Sequence, residues 1–403
     1  MKNKPSTSFL IFICFLSIGG LISTDIFLPA MKSMGDFYQA TESDIQSAIA
    51  IFLFGISISQ LIYGPLSDSF GRKNILLIGL AIWLVSTLGI FVSTSVDQLY
   101  LLRLLQGIGA CAGITISRAI MSDLYDREQA GQLYLIIFPF VGMSPAIAPM
   151  LGGQLAFYFG WKSCFLFMSL FIAITILLTL FRFSESLPSE KRIPFHPVTL
   201  FRNILAVLSH RRFLHFALIP CFAYASYFAY IVESPYLFSS MGLSVNLIGY
   251  TYITLSLAYV LGNLAAKKIS RKIGTERTIQ KGYLIFMLGG FMFALQMLIS
   301  PSPIVTSILS ISILTFGNGF LLPLGTANAI AAKPELSGTA SGVMGSLQLG
   351  SAAIASHYIG QFSNHDLHTT GLIIGGVSLL GFVIYQLGQL QFNLQLQTKG
   401  NIK

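Results

Sequence analysis

Charge is scarce in this sequence. Of 403 residues only 10% are Asp, Glu, Lys or Arg, against roughly 25% in a soluble globular domain, so the chain cannot clothe itself in a polar surface. Cysteine is scarcer. Cys14, Cys111, Cys164 and Cys221 fall inside apolar runs at no motif spacing, which argues against a disulfide framework or a thiolate metal site. No G-x-x-x-x-G-K-[ST] stretch is present to cradle a nucleotide phosphate, which removes direct ATP hydrolysis as an energy source. No nucleophile–base pair stands out, so an enzyme is not expected. His365 and His368 have metal-like spacing but no companion ligands, and neither a metal nor another cofactor is expected.

Apolar residues are what the chain has in quantity: 54% of the total, with a mean hydropathy of +0.74. A bilayer-spanning helix needs roughly 20 of them in succession. Twelve such runs can be drawn, at 8–31, 44–66, 74–92, 98–122, 131–158, 161–181, 213–238, 245–266, 279–299, 303–325, 337–361 and 369–391. Lys2 and Lys4 ahead of the first run mimic a secretory leader. That run is too long for one and contains Asp25, so it is expected to stay as helix 1. The fold expected is an all-α polytopic membrane protein of twelve transmembrane helices in two six-helix pseudo-repeats, 1–181 and 213–403. A polar linker, 182–212, joins them and holds Arg182, Lys191, Arg192, Arg202, Arg211 and Arg212. In this topology all but four of the 24 Lys and Arg fall on one side. The positive-inside bias therefore puts the linker and both termini in the cytoplasm. It also accounts for the formal net charge of +9 without nucleic acid as a partner. The four exceptions are Lys32 and Lys162 on the opposite side, and Arg103 and Arg118 within spans.

Between the second and third runs stands Gly64-Pro-Leu-Ser-Asp68-Ser-Phe-Gly71-Arg72-Lys73. Its glycines permit a very short reversal, and its basic pair holds that reversal on one side of the membrane. The stretch resembles the hallmark cytoplasmic loop of the major facilitator superfamily. The resemblance implies a conformational latch worked by Asp68 and Arg72, within a loop shaped by Gly64, Gly71 and Lys73. A weaker echo, Gly262 through Arg271-Lys272-Ile-Gly274, lies between the eighth and ninth runs. Two similar halves would place a binding cavity at their interface near the midplane.

Further stretches are similar to motifs of the same family. Arg103-Leu-Leu-Gln106-Gly107-Ile-Gly109 resembles the R-x-x-Q-G-x-G motif of helix 4, on which Arg118 also lies. Gly142-Met-Ser-Pro145-Ala-Ile-Ala-Pro149-Met-Leu-Gly152-Gly153 resembles the antiporter motif of helix 5, with Ser-Pro and Ala-Pro where Gly-Pro is usual. Thr24-Asp25-Ile-Phe-Leu28-Pro29-Ala30, Ser117-Arg118-Ala119-Ile120, Asp123-Leu124-Tyr125 and Gly338-Thr-Ala-Ser341 together resemble the Bcr/CflA group of drug:proton antiporters. Ser122 stands where that group usually has Arg. The resemblance implies alternating access and proton-driven export of drugs or other amphiphilic small molecules. It also implies a multi-pass protein of the inner membrane, whose partners are a small-molecule substrate, protons and the bilayer; a monomer is expected.

A charge inside the bilayer costs roughly 2.5–3.5 kcal/mol on insertion scales and calls for a reason. The candidates are Asp25, Arg103, Arg118 and Glu233. Counted from the expected helix ends, Asp25, Arg103 and Glu233 share a depth of about 7 Å below the outer boundary. They are therefore expected to form one proton-coupling pocket, with Arg103 paired to a carboxylate. Arg118, near the inner end of helix 4, reads equally as a gate, a snorkelling cation or a substrate contact. Tyr224, Tyr227 and Tyr230 recur along helix 7, and Tyr252 and Tyr259 along helix 8. They offer rings for flat or cationic substrates or serve as helix packing. Asn318, Asn328 and Gln348 would hydrogen-bond either substrate or a neighbouring helix. Two rivals remain open at this point: a carrier of one metabolite or siderophore in either direction, and a non-transporting membrane receptor or scaffold.

Overall fold

The computed structural model describes residues 7–125, 127–299, 304–362 and 367–400, and no strand occurs among them. In chain order the helices are α1 (Thr7–Asp25), α2 (Met31–Tyr38), α3 (Glu42–Phe70), α4 (Arg72–Val92), α5 (Val96–Leu124), α6 (Arg127–Phe159) and α7 (Lys162–Arg182). A short helix, α8 (Pro197–Leu208), follows. The second set is α9 (Arg211–Ser240), α10 (Val245–Ile273), α11 (Thr275–Ile299), α12 (Ile304–Ala331), α13 (Ser337–Phe362) and α14 (Leu367–Gly400).

Eleven helical segments among the described residues are long and apolar enough to cross a membrane. The twelfth span, α13, has 26 residues, about 39 Å at 1.5 Å per residue, and is too rich in Gly and Ser to pass on apolarity. Its position explains this. α13 packs between α3 and α9, facing protein more than lipid, and small residues let helices approach. A Cβ built on Gly345 would meet Gln60, and one on Gly360 would meet Gln46. The Ser57 hydroxyl donates to the Ser346 carbonyl at 2.8 Å. The exposed aliphatic rows lie elsewhere, at Ile78 and Val85 of α4, Leu166 and Leu170 of α7, Leu284 of α11, and Leu379 and Leu387 of α14. The halves α1–α7 and α9–α14 thus meet along α3–α13 and α6–α10.

One expectation is corrected. Helix 1 is not continuous over 8–31: α1 ends at Asp25, a 3₁₀ turn covers Leu28–Ala30, and α2 carries on to Tyr38. Pro29 is the cause, because its ring clashes with the carbonyl four residues back, that of Asp25, and it lacks an N–H to donate. Residues 182–212, which join the halves, are attached on both sides. The Ile193 N–H donates to the Asp68 carbonyl at 3.2 Å, and the Ser69 hydroxyl donates to the Ile193 carbonyl at 2.5 Å. α8 instead belongs with the second half, packing on α13 and α9, and the Lys333 ammonium donates to the Ala206 carbonyl at 3.0 Å.

Candidate functional site

The break in helix 1 sets Asp25 at the end of a helix inside the bundle, 6% exposed. Gly152 of α6 makes room for that break: a Cβ there would overlap the Ile26 carbonyl oxygen, well inside van der Waals distance. Across the interface, Tyr224 and Tyr227 of α9 and Tyr252 of α10 lie in electrostatic range of the Asp25 carboxylate. No guanidinium or ammonium pairs with it among the described residues.

Arg103 comes close without pairing. Fully buried, it donates through Nη1 to Gln106 Oε1 at 2.6 Å and to the Ser23 carbonyl at 3.4 Å, and through Nε to the Ala48 carbonyl at 3.3 Å. The guanidinium is sandwiched between the rings of Phe27 and Phe52, with centroids 4.5 and 4.3 Å away. Gln106 is held in turn, donating to Thr87 Oγ1 at 2.9 Å, and Gly107 seats α5 against the Phe52 carbonyl. The expected ion pair of Arg103 with a carboxylate is therefore corrected. Arg103 reaches the backbone two residues before Asp25 but points into the first half, whereas Asp25 faces the second.

Glu233 is elsewhere again. It accepts from Gln46 Nε2 at 2.9 Å and lies beside Tyr236, which is also in electrostatic range of Glu42 and Asp36. The single shared pocket is replaced by three separate sites: a buried carboxylate at the interface, a guanidinium inside the first half, and an acid at the far end from the linker. Boundary counting places charges by depth alone and is blind to the face on which each side chain leaves its helix.

The remaining candidates divide. Tyr224 lies beside both Arg118 and Gln348, and Tyr259 is in range of Tyr224, so these four join the Asp25 group at the interface. Arg118 is exposed. Tyr230 packs edge-on against Phe293 of α11, centroids 5.9 Å apart, and Tyr252 also exchanges a 2.8 Å hydrogen bond with Ser234. Asn318 ties α12 to the Ala223 carbonyl of α9 at 3.5 Å, and Asn328 donates to the Leu324 carbonyl of its own helix at 2.7 Å. Of the antiporter-motif residues, Pro149 and Gly153 abut Gly249 and Val245 of α10, and Gly142 faces Val260. His365 lies outside the described residues, and His368 falls in the first turn of α14.

At the linker end the loop between α3 and α4 is a dense polar knot. Arg72 pairs with Asp68 at 2.5 Å and with Asp123 at 2.9 Å, and donates to Ser67 Oγ at 2.7 Å. Gly71 takes φ +92°, a region open to glycine, and ends α3 directly against the start of α4. Composition gave no hint of Glu185. Its carboxylate accepts the Arg72 and Lys73 N–H groups at 3.0 and 3.1 Å, capping α4, while the Lys73 ammonium donates to the Leu180 and Phe183 carbonyls at 3.0 and 2.7 Å, capping α7. Gly64 faces open space. Gln46 was also missed; a buried glutamine at the head of a span was its only signal. At the far end the halves are clasped by Gln46–Glu233, by Ser47 with His357 at 3.3 Å, and by Gln154 with Tyr250 at 3.1 Å.

Comparison with known proteins agrees with this geometry. Residues 9–356 match the Major Facilitator Superfamily. The chain is similar to the MFS-type transporter YdgK of Bacillus subtilis (27% identity, covering 97% of this chain and 95% of the relative). It also resembles the bicyclomycin resistance protein homolog of Haemophilus influenzae (24%, 88% and 89%) and multidrug resistance protein D of Escherichia coli (26%, 88% and 89%). Among solved structures, the partially occluded inward-open xylose transporter XylE of E. coli superposes with a TM-score of 0.72 at 15% identity, covering 94% of this chain and 97% of that one. The POT family transporter PepTSo gives 0.74 at 13% identity, covering 98% and 99%.

Proposed function

The chain belongs to the Major Facilitator Superfamily, and on that premise we propose that it is a proton-coupled exporter of drugs or other amphiphilic small molecules. In this reading it sits in the inner membrane with both termini cytoplasmic. The observation that carries the proposal is Asp25: buried at a helix break, without a cationic partner, and facing the tyrosines of the opposite half. A lone carboxylate in such surroundings is costly, and either a proton or a cationic ligand relieves the cost. The two compete for one site, which is what exchange of substrate for proton requires. Tyr224, Tyr227, Tyr252 and Tyr259 supply ring faces to an aromatic or cationic substrate, with Gln348 as a hydrogen-bonding edge.

Alternating access follows if the two ligands bind the two states unequally. The far end is clasped through Glu233 and His357, so this conformation corresponds to access from the linker end. Opening outward breaks that clasp and brings the Arg72 knot into play at the other end. The names borne by the relatives from H. influenzae and E. coli favour export of drugs. The test is transport in proteoliposomes under an imposed pH gradient. Wild type is expected to move a cationic dye against its gradient, and Asp25→Asn, which mimics the protonated acid, to lose gradient-driven accumulation. Accumulation by Asp25→Asn at the wild-type rate would refute the coupling role.

A further inference from the structure

Lys162 begins α7 at the end of the bundle far from the linker, against the positive-inside bias that governs nearly every other basic residue. No carboxylate pairs with it among the described residues. Aromatic rings hold it instead: the ammonium stands 4.5 Å from the Phe37 centroid, 5.6 Å from Trp161 and 5.7 Å from Phe91. It caps a groove of about 870 Å³ that runs down the lipid-facing side between α4, α6 and α7. Leu88, Leu166 and Leu170 line that groove and are 45%, 55% and 61% exposed.

The groove has the dimensions of one leaflet. From Lys162 to Ala173, its last lining residue on α7, is about 16 Å of helix, and half of a hydrocarbon core about 30 Å thick is about 15 Å. A helix of a second protein would need the full thickness; one acyl chain needs half. The second half has a counterpart of about 600 Å³ between α11 and α14, lined by Leu, Met, Phe, Ala and Gly with no ionisable group. The two grooves differ at the headgroup position, where only the first offers a cation.

We propose that the α4–α6–α7 groove is a binding site for one anionic phospholipid of the leaflet remote from the linker, its phosphate on Lys162 and one acyl chain along Leu88, Leu166 and Leu170. The aromatic cage keeps the ammonium at the mouth of the groove, and the acyl chain covers leucines that the described residues leave exposed.

Intrinsic fluorescence tests this directly. The chain has two tryptophans; Trp83 is fully buried, and Trp161 stands next to Lys162 at the head of the groove. Purified full-length protein is titrated with phosphatidylglycerol or phosphatidylcholine brominated on the acyl chain near the headgroup, and quenching is read. One lysine at a membrane surface is worth about a fivefold preference for an anionic lipid. Wild type is therefore expected to quench at about fivefold less phosphatidylglycerol than phosphatidylcholine. Lys162→Arg keeps that difference and Lys162→Gln abolishes it. Equal quenching by the two lipids in wild type overturns the proposal. So does an unchanged preference in Lys162→Gln, which would assign the anion affinity to a group other than Lys162. Displacement of the brominated lipid by a transported cationic dye would show the groove to be a substrate path and overturn it as well.

Discussion

Glu185 offers the sharpest test of how the linker is held. Its carboxylate takes two N–H groups at the start of α4 and one from Leu187, and its partner Arg192 lies 3.9 Å away. Removing a capping side chain costs about 1 kcal/mol, and losing a negative charge at a helix N-terminus a further 0.3–1 kcal/mol, roughly. The Arg192 contact is long and a third exposed, so it adds about 0.5 kcal/mol or less. Glu185→Ala should therefore weaken docking of 183–193 by about 2 kcal/mol, roughly a thirtyfold rise in local opening. The reporter is the Ile193 amide, which is hydrogen-bonded to Asp68, followed by hydrogen exchange. Glu185→Gln, which keeps an acceptor but not the charge, should give about a fivefold rise. Gly71→Ala reaches the same end by another route, since its Cβ would stand 2.6 Å from Glu185 Oε2 on a backbone at φ +92°. Wild-type exchange at Ile193 in Glu185→Ala would refute the reasoning and leave the attachment to the other bonds of the segment, Ile193 with Asp68 and Ser69 and Ser186 with Asp123.

Other outcomes follow from the same geometry. Gly152→Val should disrupt the helix 1 break by forcing a side chain onto the Ile26 carbonyl; loss of dye binding is expected even where the protein is still recovered folded, and retained binding would refute the fit. Arg103→Lys keeps the charge but loses both ring stacks and the fork to Gln106 and Ser23, so a fall in melting temperature equivalent to about 2 kcal/mol is expected by thermal unfolding. Glu233→Ala removes the acceptor of Gln46 and should raise far-end accessibility, read as faster alkylation of a cysteine placed at Gln361; an unchanged rate would acquit the clasp.

Helices were legible because the bilayer imposes length and apolarity, and both are written along a single chain. The exception is α13: drawn as an apolar run over 337–361, it is in fact rich in Gly and Ser, which reflects its burial against α3 and α9. Site geometry was harder to read. Sequence placed Asp25, Arg103 and Glu233 at one depth, and that pointed to an ion pair which the azimuths of α1, α5 and α9 do not allow. The tyrosines of α9 fared better, since i, i+3 spacing does encode a face; Tyr224 and Tyr227 share Asp25's side while Tyr230 has drifted toward Phe293. Glu185 left no trace because a carboxylate after the last span is ordinary until its contact with α4 is seen.

The division of the linker bears on how far the two halves can move. Residues 183–193 are fastened to the first half through Glu185, Ser69 and Ile193, and α8 is fastened to the second through Lys333. Between them only Pro194, Phe195 and His196 remain. Three residues span about 10 Å when extended, and Pro194 fixes one of their torsions while holding Ile193 extended. Any rocking of α1–α7 against α9–α14 must be accommodated by that short joint as long as both attachments hold. The far end carries no such chain connection: there Gln46, Ser47 and Gln154 bond to Glu233, His357 and Tyr250, each bond worth about 1 kcal/mol net, beside the packing of Gly153 on Val245. The halves are thus joined by covalent chain at one end and by non-covalent contacts at the other. If the protein works as proposed, a site between the halves needs only the modest differential affinity of a proton or a substrate to bias which end opens.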